Sequence, residues 1–128
     1  MTRITSHPFA FSRVLCVLCV SALMGCVEGP VYEGQFAYDD GWSIGKVTEV
    51  GTARGGFGRT SKDCRLSAIA QGKGNRAFAH VAYQRGKHYR SIVATVPEGL
   101  RVAPGEEVYV NFQDCDAEVA PRHAVRTH

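Results

Sequence analysis

Apolar residues are arranged in two ways along this chain, as one continuous run near the N-terminus and as short alternating segments after it. The run covers residues 14–25 and follows Arg3 and Arg13, so that a basic stretch precedes an apolar one. Its 12 residues are too few to cross a bilayer core, which takes about 20. The layout is that of a secretory signal, and we predict that residues 1–25 are removed.

The apolar run ends in Leu23-Met24-Gly25-Cys26, in which a small residue directly precedes a cysteine. This ending resembles the lipobox of bacterial lipoproteins, whose cysteine receives a diacylglycerol and becomes the first residue of the mature protein. Met24 departs from that family, which mostly carries a small or β-branched residue there. The resemblance implies lipid on Cys26. Because Val27 and not aspartate follows, it also implies an outer-membrane protein. We expect the domain to face the periplasm, and an orientation toward the cell exterior stays open.

After residue 41, apolar and polar residues alternate in short segments that are separated by turn residues. This period of two is typical of strands with one buried face. It predicts five strands, at residues 44–50, 64–70, 76–84 and 89–96 and from the Pro104-Gly105 turn to Phe112. We therefore expect an all-β domain at residues 42–115, in which the five strands form a small antiparallel barrel or barrel-like sheet.

The segments on either side of this domain lack a sustained apolar period. Gly29, Pro30 and Gly34 interrupt residues 26–41, which predicts a flexible tether between the lipid and the domain. The aromatic residues of the tether fall at roughly alternate positions, so two placements stay open for part of it, along the domain or along the membrane interface. Residues 116–128 are predicted to form a flexible C-terminal tail.

Removal of the signal leaves 103 residues (128 minus 25) and three cysteines. With Cys26 assigned to lipid, Cys64 and Cys115 remain as an even pair, which predicts a disulfide in an oxidising compartment. The chain-entropy estimate for closing such a loop is about 4 kcal/mol. A metal site that combines these cysteines with His80 and His88 is the alternative, but the short spacing of compact zinc sites is missing. We therefore predict no metal and no cofactor.

Charge is segregated along the predicted mature chain, although its total is only +1, from 13 basic and 12 acidic residues. Residues 54–90 carry nine of the basic residues and one acidic residue. Charge pairing between neighbouring strands would explain this, and so would a basic face toward an anionic envelope polymer such as lipopolysaccharide or peptidoglycan. The candidate ligand-binding residues are Arg54, Arg59, Lys62, Arg65, Lys73 and Arg76. They interleave with alanine, serine and glycine and form no aromatic stacking platform, so nucleic acid is not expected as a partner.

The polar residues form no recognisable catalytic motif. The glycine-rich residues 51–58 lack the Gly-Lys-Ser/Thr ending of a phosphate-binding loop, and no serine stands in a nucleophile-elbow sequence. We therefore predict a protein without catalytic residues or catalytic activity.

The stretches Gly45-Lys46-Val47, 89–96 and Pro104-Gly105-Glu106-Glu107-Val108 resemble the C-terminal β region of SlyB-like outer-membrane lipoproteins. The glycine zipper that those families place after the first strand is missing here. The resemblance implies a structural protein of the cell envelope. We expect a lipid-anchored structural or interaction protein whose domain docks a partner protein or stabilises the outer membrane. The alternative is a binding module for the anionic polymers named above.

Overall fold

The computed structural model describes residues 28–123. The predicted signal, the predicted lipid site Cys26 and the last five residues of the predicted tail lie outside the described residues. In chain order the elements are β1 (Val31–Tyr32), β2 (Phe36–Ala37), a 3₁₀ turn (Tyr38–Asp40), β3 (Trp42–Gly51), β4 (Lys62–Asp63), α1 (Arg65–Ala70), β5 (Phe78–Arg85), β6 (His88–Thr95), β7 (Glu107–Asn111) and β8 (Ala120–Pro121).

Six of the strands form one mixed sheet in the order β4-β6-β5-β3-β7-β8, and β1 pairs with β2 in a separate two-stranded sheet. All neighbours are antiparallel except β4 and β6, which run parallel. The all-β prediction is confirmed, but the closed five-stranded barrel is wrong. The edge strands β4 and β8 are two residues long each, and in the described residues they do not pair with one another.

The four long strands enclose the main core on the inner face of this sheet. Val47, Val81, Ile92 and Val110 are fully buried there, one from each of β3, β5, β6 and β7. Gly45 is packed closely among these residues. A Cβ at that position would be only 2.4 Å from Cγ1 of Val81, so a larger residue would not fit. The alternation that predicted these strands therefore does mark their buried face.

The edge strand β4 is joined to the end of β7 by contacts other than strand pairing. The sulfur atoms of Cys64, which follows β4, and Cys115, which follows β7, lie 2.08 Å apart, so the predicted disulfide is present in the fold. Nζ of Lys62 lies 3.2 Å from the carbonyl oxygens of both Phe112 and Gln113. These contacts curl the sheet so that the end of β7 faces β4.

The predicted strand at residues 64–70 is wrong, because residues 65–70 form helix α1. Its first turn is closed by the amide of Ala68, which donates to the carbonyl of Cys64 at 3.1 Å. Cys64 and Ala68 are buried, whereas Leu66 between them is 82% exposed. A spacing of four between buried residues is helical. The apolar alternation at 64, 66, 68 and 70 did not distinguish buried from exposed positions.

The segments predicted to be a tether and a tail are both packed against the sheet where the structure describes them. In the tether, the rings of Tyr32 and Phe36 stack on Tyr109 with centroids 5.7 and 4.5 Å away. The segment therefore lies along the domain, one of the two placements left open above. In the tail, Val119 is buried and β8 pairs with Val108 and Tyr109. Residues 116–123 thus differ from the predicted flexible tail, because one buried valine and two ladder residues hold them.

Candidate functional site

Four of the six candidate ligand-binding residues are engaged within the fold. Lys62 joins β4 to the end of β7, and Lys73 and Arg76 both contact the carboxylate of Glu118, at 3.1 and 3.4 Å. Arg65 bonds Asp63 and two carbonyl oxygens of the glycine-rich loop. The six residues therefore do not form one free basic surface.

The guanidinium of Arg65 anchors the glycine-rich loop to helix α1. It donates to the carboxylate of Asp63 at 2.6 Å and to the carbonyl oxygen of Gly55 at 2.6 Å, and it lies 5.0 Å from the ring centroid of Phe57. The hydrogen bonds from Arg65 lower the pKa of Asp63, and the same contact raises the pKa of Arg65. This charge pair is accordingly a structural element of the loop.

Arg54 and Arg59 differ from the other four candidates. Both side chains are exposed, and neither pairs with a carboxylate of residues 28–123. Both lie in the segment between β3 and β4. Arg54 follows the end of β3, whereas the carbonyl oxygen of Arg59 accepts from Oγ of Ser91 on β6. Of the predicted set, these two remain free to meet an external anion.

His80 is buried on the outer face of β5 and both of its ring nitrogens have partners. Nδ1 lies 2.5 Å from Oγ1 of Thr48, which sits at a bulge in β3, and Nε2 lies 3.2 Å from the carbonyl oxygen of Arg59. The ring stacks on Phe57 at 6.3 Å. His88 is at the other end of the same hairpin, opposite Arg85. The two histidines of the metal alternative are therefore apart, and no group of three or more His, Cys, Asp or Glu in residues 28–123 is placed to hold a metal ion.

The outer face of the sheet is covered at both ends. At one end helix α1 and the glycine-rich loop cover Phe78 and Val93. At the other, the β1–β2 segment covers Tyr109, as described above. Burial, together with the neighbouring Glu33 carboxylate, raises the pKa of Tyr109 to about 12, and hydrogen bonding from Tyr109 and then from His123 lowers the pKa of Glu33.

Between these two covers an open groove of about 390 Å³ crosses the outer face. The residues that line it include Ile44, Lys46, Ala82, Gln84, Tyr89 and Glu107. Lys46 lies opposite both Ala82 and Glu107 in the strand registers, so a cation and an anion face the groove side by side. Tyr89 is 82% exposed at its rim. Sequence analysis did not predict that these residues come together in one site, because they lie on four different strands.

A second feature that sequence analysis missed is the turn between β5 and β6, whose basic residues Arg85, Lys87 and Arg90 we call the cationic hairpin. All three side chains are exposed, and none pairs with a carboxylate of the described residues. Arg85 packs its guanidinium 4.9 Å from the ring centroid of Phe112. The sequence did hold a signal, because residues 82–97 contain no acidic residue.

None of the helices in the part of the chain that the structure describes has the length and apolar character needed to cross a membrane. Comparison of the chain with protein-family models, with curated proteins and with solved structures found no match.

Proposed function

We propose that this chain is a lipid-anchored protein of the bacterial outer membrane, facing the periplasm, that binds another envelope protein and catalyses no reaction. The lipobox-like ending at Cys26 supports the anchor. The groove on the outer face supports the binding role and is the observation on which the proposal depends.

The composition of the groove favours a protein partner over an anionic polymer. An anionic polymer would be met by cations alone, whereas this groove presents Lys46 and Glu107 together with the apolar side chain of Ile44. Apolar contact area combined with a few polar groups of both signs is typical of protein interfaces. Tyr89 is the kind of exposed aromatic residue that often dominates the binding energy of such an interface.

The groove is rigid, which makes it a suitable binding surface. Its floor is formed by the paired strands β3, β5 and β7, and the disulfide between Cys64 and Cys115 joins the end of β4 to the segment after β7. A preformed surface loses less conformational entropy when a partner binds.

Site-directed photocrosslinking in intact cells tests the binding role. A photoreactive residue at position 89 should capture a discrete protein, and the same residue at position 66 should not. Tyr89 and Leu66 are matched because each is 82% exposed, but only Tyr89 borders the groove. Equal capture at the two positions, or none at position 89, would contradict the proposal.

The anchor has its own test. Mass spectrometry of the processed N-terminus should find Cys26 carrying acyl chains, and Cys26→Ser should release the protein from the membrane fraction. Cleavage elsewhere, or an unmodified Cys26, would remove the basis for the membrane location. A turnover that is lost in folded His80→Ala would overturn the non-catalytic assignment.

A second candidate partner is an anionic envelope polymer that binds Arg54 and Arg59. The exposure of these two side chains, without a carboxylate partner in residues 28–123, favours it. Binding of purified lipopolysaccharide or peptidoglycan should then weaken as salt screens the charges, and Arg54→Gln with Arg59→Gln should abolish it. Salt-insensitive binding, or binding that survives both substitutions, would exclude this candidate.

A further inference from the structure

We infer that the cationic hairpin docks on the anionic lipid headgroups of the same membrane that holds the lipid on Cys26. This inference rests on the lipid anchor of the proposed function and adds an orientation to it. The groove would then face sideways, along the membrane surface.

The hairpin carries a cluster of exposed positive charge. Arg85, Lys87 and Arg90 are exposed within six residues of one another, and no acidic residue occurs from 82 to 97. The fold does not use these charges for pairing within residues 28–123. Clusters of exposed basic residues beside a membrane anchor are attracted to anionic headgroups.

The N-terminal segment packs close to this hairpin. Gly45 on β3 pairs with Tyr83 on β5, so the turn after Arg85 lies at the end of the sheet where β3 begins, at Trp42. Just before β3, the ring of Tyr38 packs 5.6 Å from that of Phe112. Arg85 lies over the same Phe112 ring.

Tyr38 and its neighbour Asp39 also hold the start of the described chain. The amide of Tyr38 donates to the carbonyl of Pro30 at 2.8 Å, and the amide of Gly29 donates to the carboxylate of Asp39 at 3.2 Å. The chain from Cys26 therefore reaches the domain at the same end of the sheet as the cationic hairpin.

The distance from the lipid is short. Three residue steps separate Cys26 from Gly29, and a fully extended chain covers at most about 11 Å over three steps. The hairpin end of the sheet is thus held next to the headgroups once Cys26 is inserted. A lipid and a basic patch that act together bind a membrane more firmly than either does alone.

Acidic residues lie near this end as well. Asp39 accepts from the amide of Gly29, and Glu28, Asp40 and Asp114 are exposed. These carboxylates are spread over three segments, whereas the three cations are clustered on one turn that carries no acidic residue, so the tip of the hairpin itself is positive.

Lysine labelling of the processed, lipid-bearing protein tests the docking. The protein is reconstituted in vesicles of phosphatidylcholine alone or with added phosphatidylglycerol, and the reaction of each lysine with an amine reagent is measured by mass spectrometry. Labelling of Lys87 should fall roughly fivefold in the anionic vesicles, while Lys46, exposed on the outer face, should not change. The protection should disappear at high salt.

Two double variants with the same loss of charge separate the hairpin from the rest of the surface. Arg85→Gln with Arg90→Gln should abolish the protection of Lys87. Arg54→Gln with Arg101→Gln, at two exposed arginines outside the hairpin, should leave it intact. Unprotected Lys87 on protein that floats with both vesicles would overturn the docking and leave the anchor standing. Failure to float with either vesicle would overturn the anchor and, with it, this inference.

Discussion

The basic residues between positions 62 and 76 and those of the cationic hairpin are similar in number but differ in what they contact. In the first region Lys62, Arg65, Lys73 and Arg76 bond carbonyl oxygens or carboxylates of the domain itself. In the cationic hairpin no side chain pairs with a carboxylate of residues 28–123. Positive charge therefore stabilises the fold in one region and stays available for binding in the other.

The difference follows from the position of each region in the sheet. The first region lies around the short edge strand β4 and helix α1, where two ladder residues provide few backbone hydrogen bonds. Side chains replace those missing bonds. The cationic hairpin joins β5 and β6, which pair over eight residues, so backbone bonding is already complete there. The cations at this turn are therefore not needed to replace missing backbone hydrogen bonds.

The disulfide should show the largest effect on stability, because it closes the edge in the first region. Replacing Cys64 and Cys115 by alanine should lower the free energy of unfolding by about 4 kcal/mol. Urea denaturation of the oxidised protein and the double variant measures this. An unchanged midpoint, together with two free thiols in the denatured wild-type protein, would refute a stabilising disulfide.

One identical substitution in each region tests the comparison directly. Lys62→Gln removes two charge-assisted hydrogen bonds to the carbonyls of Phe112 and Gln113, and should lower the free energy of unfolding by about 1–2 kcal/mol. Lys87→Gln should change it by less than about 0.5 kcal/mol, because the side chain is exposed. Equal losses in the two variants would show that the regions do not differ as the contacts suggest.

A smaller effect on stability is expected at the carboxylates that contact the basic residues between positions 62 and 76. Glu118 contacts both Lys73 and Arg76, so Glu118→Gln should cost about 0.5–1 kcal/mol. Glu98, 4.0 Å from Arg76 and largely exposed, is the matched control, and Glu98→Gln should have no measurable effect. Thermal unfolding of both variants decides this, and a larger loss in Glu98→Gln would contradict the assignment.

The smallest effect concerns the pH dependence of stability in the β1–β2 segment. Hydrogen bonding from Tyr109 and His123 lowers the pKa of Glu33 below its usual 4.5. The contribution of this carboxylate to stability is therefore present above pH 4.5 and is lost as the pH falls through the lower, folded-state value. The melting-temperature difference between wild type and Glu33→Gln should accordingly be constant above pH 4.5 and shrink below it. A difference that stays constant into acid would contradict this.

Tyr109, which hydrogen-bonds Glu33, has the opposite pH dependence: its contribution to stability is lost at alkaline pH. The pKa of Tyr109 is raised from 10.0 to about 12, so its contribution is complete below pH 10 and is lost as the pH rises through about 12. Tyr109→Phe should remove that alkaline loss. An alkaline unfolding curve that does not change in this variant would assign the loss to another group.

Sequence reasoning succeeded where a segment was long and one face was buried throughout. Residues 44–50, 76–84 and 89–96 were predicted as strands and correspond to β3, β5 and β6. It failed at residues 64–70, where leucine and alanine are as compatible with a helix as with a strand. It also left Val119 in a flexible tail, since a single apolar residue produces no period.

The candidate site was harder to predict than the fold. The groove is built by Ile44, Ala82, Tyr89 and Glu107, which are brought together only by the strand registers. The basic residues were visible as a cluster in the sequence, but their partners were not. Glu118, for example, is 42 positions from Arg76.

By itself the sequence determined the all-β class, the three long central strands and the pairing of Cys64 with Cys115, because each depends on local alternation or on a count. Only the tertiary structure decided that the sheet stays open, that residues 65–70 form a helix and that the β1–β2 segment packs on Tyr109. The tertiary structure also decided which cationic side chains lack a carboxylate partner within residues 28–123. The physical reason is that burial and charge pairing are set by the register of strands distant in sequence, and alternation within one strand carries no information on that register.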